Sequence, residues 1–93
     1  DEILIFNRLQ QAHILKIVEI QLQLLAQRLS ERHISINWDE AVLQGLAQAG
    51  YDPVYGARPL KRTIQHQVQD PLSLKILSGE VKEGSQVKIQ KNS

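Results

Sequence analysis

The sequence predicts an α+β domain, three to four helices with a very small β-sheet. Three observations carry that prediction. The stretch from Gln10 to about Arg32 repeats apolar residues at helical spacing. Ile34-Ser35-Ile36 and Val87-Lys88-Ile89 alternate at strand spacing. Glycines and prolines punctuate the chain between the apolar stretches.

The elements follow in order. Ile3-Leu4-Ile5-Phe6 is a continuous apolar run with the pattern of a buried strand. Cut off from a sheet, such a strand dangles, folds back or pairs with a neighbouring copy. The long helix from Gln10 carries two apolar stripes at 100° per residue. Ile14, Val18, Leu22, Leu25 and Leu29 form one; Ile17, Ile20 and Leu24 form the other. The first is expected to face the domain's own core. The second is either more core or a docking face, and it is expected to be the more exposed. Asn37 or Asp39 caps the next helix, which presents Val42, Leu43 and Leu46 inward and stops at Gly50 in the C′ role. Trp38 is a packing residue at this strand-to-helix junction. A third helix starts at Pro59 and carries Leu60, Ile64 and Val68 at four-residue intervals. Asp70-Pro71 restarts or kinks it, with Asp70 as cap, and it runs on to a stop at Gly79. Glu83-Gly84-Ser85 turns the chain into the last strand.

Composition bounds the function. Ninety-three residues suit one domain of modest stability. One Trp, one Phe and two Tyr leave the core to Leu, Ile and Val. A formal charge of +1 lacks the basic excess of a nucleic-acid surface. Cys is absent, which excludes disulfides and thiolate chemistry and suits the cytoplasm. No apolar run reaches the length of a membrane span, and no signal peptide is visible. A start at Asp1 without Met is the expected mark of a piece of a longer protein.

The run Gly50 to Arg62, Gly-Tyr-Asp-Pro-Val-Tyr-Gly-Ala-Arg-Pro-Leu-Lys-Arg, holds the candidate site. Pro53, Gly56 and Pro59 punctuate a loop, and Pro59 suits a first helical turn. Arg58 then stands at a helix start, beside free backbone N–H groups, behind the small residues Gly56 and Ala57. That arrangement suits an anion, most often a phosphate. The plainer reading is a tight turn with a surface arginine. Arg62, one turn on, is the rival ligand, and Lys61 completes a basic cluster. Tyr51 and Tyr55 are expected to anchor the loop by packing. Asp52 caps it or pairs with an arginine.

The same run resembles the second-sensor segment of the Clp branch of AAA+ ATPases. Gln21-Leu22 through Arg28-Leu29, Asp70-Pro71-Leu72 and Ile76-Leu77-Ser78-Gly79-Glu80 extend the resemblance over nearly the whole chain, toward ClpB-type disaggregases. The resemblance implies the small lid subdomain of a second ATPase module. Residues 1–8 would be a remnant strand and hinge from the large ATPase subdomain, with the hinge at Asn7-Arg8-Leu9, and residues 9–93 the lid. It implies ATP shared with the large subdomain, which would hold the magnesium. Arg58 would be the catalytic sensor arginine, and Arg58, Ala57, Ile17 and Ile20 the lid's nucleotide-binding residues. The partners it implies are that subdomain, neighbouring subunits of a homo-hexameric ring, and unfolded or aggregated polypeptide, with neither nucleic acid nor membrane.

Residue chemistry limits what this chain does alone. It has no Gly-x-x-x-x-Gly-Lys-Ser/Thr loop and no strand-end acid pair for magnesium, so unaided nucleotide hydrolysis is excluded. His13, His33 and His66 lack partners at metal-ligand spacing. No Ser sits in a Gly-flanked nucleophile turn. Two alternatives stay open: the lid of a protease-associated Clp ATPase, and a stand-alone interaction domain whose second stripe binds a partner helix.

Overall fold

The computed structural model describes the backbone of residues 8–90 and the side chains of residues 11–90. Ile3-Leu4-Ile5-Phe6 and Asn7 of the expected remnant strand and hinge lie outside the described residues. The elements are α1 (Arg8–Ser30), β1 (Ser35–Asn37), α2 (Glu40–Ala49), α3 (Leu60–Ile64), a π-helical segment (Gln65–Gln69), α4 (Asp70–Leu77) and β2 (Gln86–Lys88). The expected α+β class is the observed one. The helix that begins at α3 runs through the π segment into α4, so three helical rods accompany a sheet of two strands. β1 and β2 pair in parallel, with Ser35 opposite Gln86, Ile36 opposite Val87 and Asn37 opposite Lys88.

Helix α1 is the spine. Its first stripe, Ile14, Val18, Leu22, Leu25 and Leu29, is buried throughout, with Val18 and Leu22 at 0% exposure. The helix packs on α2, α3 and β1. The second stripe divides. Ile17 is half-buried against the core, whereas Ile20 and Leu24 are 43% and 48% exposed. α1 starts at Arg8 rather than Gln10, so two residues of the expected hinge are helical. It closes with paired backbone bonds, Ile34 N–H to Leu29 O at 3.1 Å and His33 N–H to Ser30 O at 2.9 Å. His33 holds the left-handed position of this Schellman closure at φ 60. Buried Leu29 and Ile34 supply its apolar contact.

Asp39, rather than Asn37, caps α2: its carboxylate accepts from the Val42 N–H at 3.1 Å. Val42, Leu43 and Leu46 face the core, as expected, and Trp38 packs against it between β1 and α2. Gly50 ends α2 but not in the left-handed conformation expected of a C′ glycine. Its φ is −97, which any residue adopts. Glycine is needed here for space. A Cβ on Gly50 would overlap the Leu60 side chain and come within 2.9 Å of the Leu60 Cα.

Asp70-Pro71 neither restarts the third helix nor caps it. Gln69 and Asp70 are both helical, and the Asp70 carboxylate makes no cap bond. It lies 3.4 Å from His66 Nδ1 instead. The Asp70 N–H reaches back five residues to Gln65 O. In α-register the Pro71 ring would press on the carbonyl four residues earlier. The wider π turn ahead of it relieves that pressure, and the rod continues. Ile64, Val68 and Leu72 stay on the buried side, while Leu74 and Leu77 emerge at 66% and 83% exposure. Gly79 (φ 84) stops the rod as expected, and Gly84 (φ 88) turns the chain into β2.

Gly50→Ala is expected to lower the stability of the chain by about 1–3 kcal/mol, the usual cost of forcing extra volume into a filled site. Chemical denaturation of the two variants measures this. A Gly50→Ala chain as stable as the parent would mean that Leu60 moves aside freely.

Candidate functional site

The loop between α2 and α3 is built by one carboxylate and one glycine. Asp52 N–H donates to Gly56 O at 2.8 Å, and Gly56 N–H donates back to Asp52 O at 2.6 Å. This antiparallel bridge closes the loop at its neck. Inside it, Asp52 Oδ1 accepts from the Val54 N–H at 2.7 Å and the Tyr55 N–H at 3.0 Å. Asp and Pro at successive positions suit such a turn, because the carboxylate satisfies the amides that the proline-bent backbone leaves free. Gly56 takes φ 63, which glycine adopts without strain. Asp52 therefore caps the loop, and among the described residues it pairs with no arginine.

Arg58 follows in a second tight turn. Its N–H donates to Tyr55 O at 3.1 Å, and the Leu60 N–H donates to Ala57 O at 3.0 Å. The Arg58 guanidinium carbon stands 5.2 Å from the centre of the Tyr55 ring, within cation–π range. Arg58 is exposed, and no carboxylate among the described residues pairs with it. Tyr55, Arg58, Pro59 and Arg62 line an open groove of ≈ 450 Å³. The two guanidinium side chains give it a positive wall, and exposed Lys61 lies between them in sequence.

Two expectations change. Arg58 stands beside fewer free helix-start N–H groups than expected: those of Lys61 and Arg62 have no acceptor among the described residues. Its own N–H and that of Leu60 are bonded within the loop, Pro59 has none, and α3 spans five residues. Tyr55 does not anchor the loop by packing on the core either. It is 58% exposed and lies against Arg58, whereas Tyr51 is half-buried on the core.

The remaining candidates fall in two places. Ala57 is half-buried against the core directly before Arg58. Gly56 faces open space, since a Cβ there would meet nothing within 4 Å. Ile17 and Ile20 belong to α1, and neither lines the groove around Arg58. Sequence reading missed the Tyr55–Arg58 stack. Its signal was an aromatic residue three positions before an arginine, across a turn that brings those positions together.

Comparison with known proteins is specific. Residues 9–89 match the family model described as "C-terminal, D2-small domain, of ClpB protein". The chaperone protein ClpB of Bdellovibrio bacteriovorus is 48% identical over 99% of this chain, which covers 11% of that protein. The ClpB of Meiothermus ruber is 52% identical over 91% of the chain, covering 10% of its own length. The ClpB of Brucella suis is 50% identical over the whole chain, again covering 11% of its length. The chain thus spans about a tenth of the length of the relatives it matches.

Asp52→Ala is expected to cost about 1–2 kcal/mol of stability, since two loop amides lose their acceptor. Amide hydrogen exchange should speed at Val54 and Tyr55 before it changes in α1. Asp52→Asn keeps an acceptor oxygen and should lie close to the parent. Unchanged exchange in Asp52→Ala would show that the Gly56 bridge alone holds the loop.

Proposed function

The chain belongs to the family of the C-terminal small domain of ClpB, and we propose that it is the lid of the second ATPase module in a ClpB-type, cytoplasmic protein disaggregase. In this reading the large subdomain of the same polypeptide holds ATP and magnesium beside the lid. ATP supplies the phosphoanhydride whose cleavage drives the machine. The lid contributes position and charge.

The observation that carries the reading is the state of Arg58. Its guanidinium is exposed, free of carboxylate partners among the described residues, and held on a hydrogen-bonded loop. An arginine without an internal partner suits an anion that arrives from outside the domain. The β- and γ-phosphates of a triphosphate fit such a group, and Arg62 on the same groove adds to the positive wall. Arg58 reaches the phosphates from the lid side, holds the triphosphate more strongly than the diphosphate, and favours charge that develops during transfer. Gly56 and Ala57 keep side-chain bulk away from the approach. Ile17 and Ile20 offer α1's outer apolar stripe to the adenine or the large subdomain.

The lid then moves as a body. Arg8 and Leu9 of the proposed hinge are the first residues of α1, whose buried stripe is continuous with the core that holds Leu60. A change in the pull on Arg58 becomes a change in lid angle, a hinge-type closure. Six copies in a ring, threading unfolded or aggregated polypeptide, would use that motion.

Arg58→Ala in the full-length protein is expected to depress ATP turnover of the second module by tenfold or more, the order of effect of an arginine that stabilises transferred phosphoryl charge. Circular dichroism and thermal unfolding should stay those of the parent, because the Arg58 side chain supports no core contact. Normal turnover in Arg58→Ala with a loss in Arg62→Ala would transfer the role to Arg62.

A further inference from the structure

We propose that Tyr55 is a positioning residue for Arg58: its ring holds the guanidinium in place for an incoming triphosphate. This rests on the reading of Arg58 given above. Four observations converge on it. Tyr55 is 58% exposed, although an anchoring, packing role was the expectation for it. Its ring lies 5.2 Å from the Arg58 guanidinium carbon. Its backbone is fixed from both sides, with its N–H donating to Asp52 Oδ1 and its carbonyl accepting from the Arg58 N–H. Its hydroxyl makes no hydrogen bond among the described residues, so the ring face is the part of the side chain in use.

An arginine side chain loses several rotatable bonds' worth of freedom when it grips a phosphate, and a group already held loses less. A carboxylate partner would hold Arg58 too, but it would compete with the phosphate for the same N–H donors. An aromatic face attracts the cation through the ring quadrupole and leaves all five N–H groups pointing outward. The ring therefore orients the charge without neutralising it. The Asp52 turn sets where the ring stands, so the chain of support runs from Asp52 through Tyr55 to Arg58.

The test is a double-mutant cycle in the full-length protein, in a background whose first module is disabled for nucleotide binding. Two readouts are taken: the dissociation constant of a non-hydrolysable ATP analogue, and kcat for ATP. Tyr55→Leu keeps bulk and removes the π face; Tyr55→Phe keeps the π face. Tyr55→Leu is expected to weaken analogue binding about two- to fivefold, the size of an exposed cation–π contact. Tyr55→Phe should bind as the parent does. In the Arg58→Ala background, Tyr55→Leu should have no further effect, because a positioning residue acts only through the group it positions. Equal loss in Tyr55→Phe and Tyr55→Leu, or a Tyr55→Leu effect that persists without Arg58, overturns the proposal. An Arg58→Ala protein that binds and turns over nucleotide normally overturns the underlying reading of Arg58 instead. A Tyr55→Leu chain that unfolds several degrees early, with Tyr55→Phe doing the same, assigns Tyr55 a purely structural role and also overturns it.

Discussion

The contact between Gly50 and Leu60 holds together the two ends of the loop that carries Arg58. Gly50 is buried at the close of α2, and Leu60, 1% exposed, opens α3. The nine residues between them leave and return at nearly one point, because no Cβ separates the two backbones there. Within that clamp the Asp52–Gly56 bridge narrows the neck, and the Tyr55–Arg58 backbone bond turns the chain back toward Leu60. The loop is exposed at its tip yet leaves few backbone amides to choose their own partners. This is how a surface arginine acquires a defined position without being buried.

The clamp is continuous with the rest of the domain. Leu60 belongs to the same core as Val18 and Leu22 of α1, and Ile64, Val68 and Leu72 extend that core along the third rod. The π segment lets this rod pass Pro71 without breaking. A force applied at Arg58 therefore acts on a packed unit whose longest member is α1. Close packing makes such a unit move rather than deform. In the lid reading, that stiffness converts an electrostatic event at the phosphates into an angle between subdomains. The exposed residues Ile20 and Leu24 on α1 and Leu74 and Leu77 on α4 are apolar surface that this domain does not cover itself.

Much of the fold was legible because its signals are periodic or chemical. The buried stripe of α1 could be read by spacing alone, the Gly79 and Gly84 turns by residue type, and the α2 cap only as one of two candidates, Asn37 and Asp39. The strands shifted by one residue, which is the scatter expected of three-residue elements. The parallel pairing of β1 with β2 was not legible, since two isolated short runs carry no signal of direction or register. Gly50 was placed correctly and explained wrongly: its neighbour in space, Leu60, is ten positions away in sequence, and only packing reveals it. Asp70 looked like a cap because Asp-Pro commonly opens a helix, yet a widened turn was the less costly solution for a rod already packed along its length. At the site, the loop and the exposure of Arg58 could be anticipated. The role of Tyr55 could not, since an aromatic residue in a loop is read by default as an anchor.

In the lid reading, Arg58 on its clamped loop meets the phosphates of a nucleotide held by the neighbouring subdomain. The most direct measurement is a structure of the full-length protein with a non-hydrolysable ATP analogue in the second module. The expected result is the Arg58 guanidinium at hydrogen-bonding distance, about 3 Å, from a β- or γ-phosphate oxygen, with the Tyr55 ring still against it. A nucleotide bound in that module while Arg58 faces solvent, or while Arg62 alone contacts the phosphates, would contradict it.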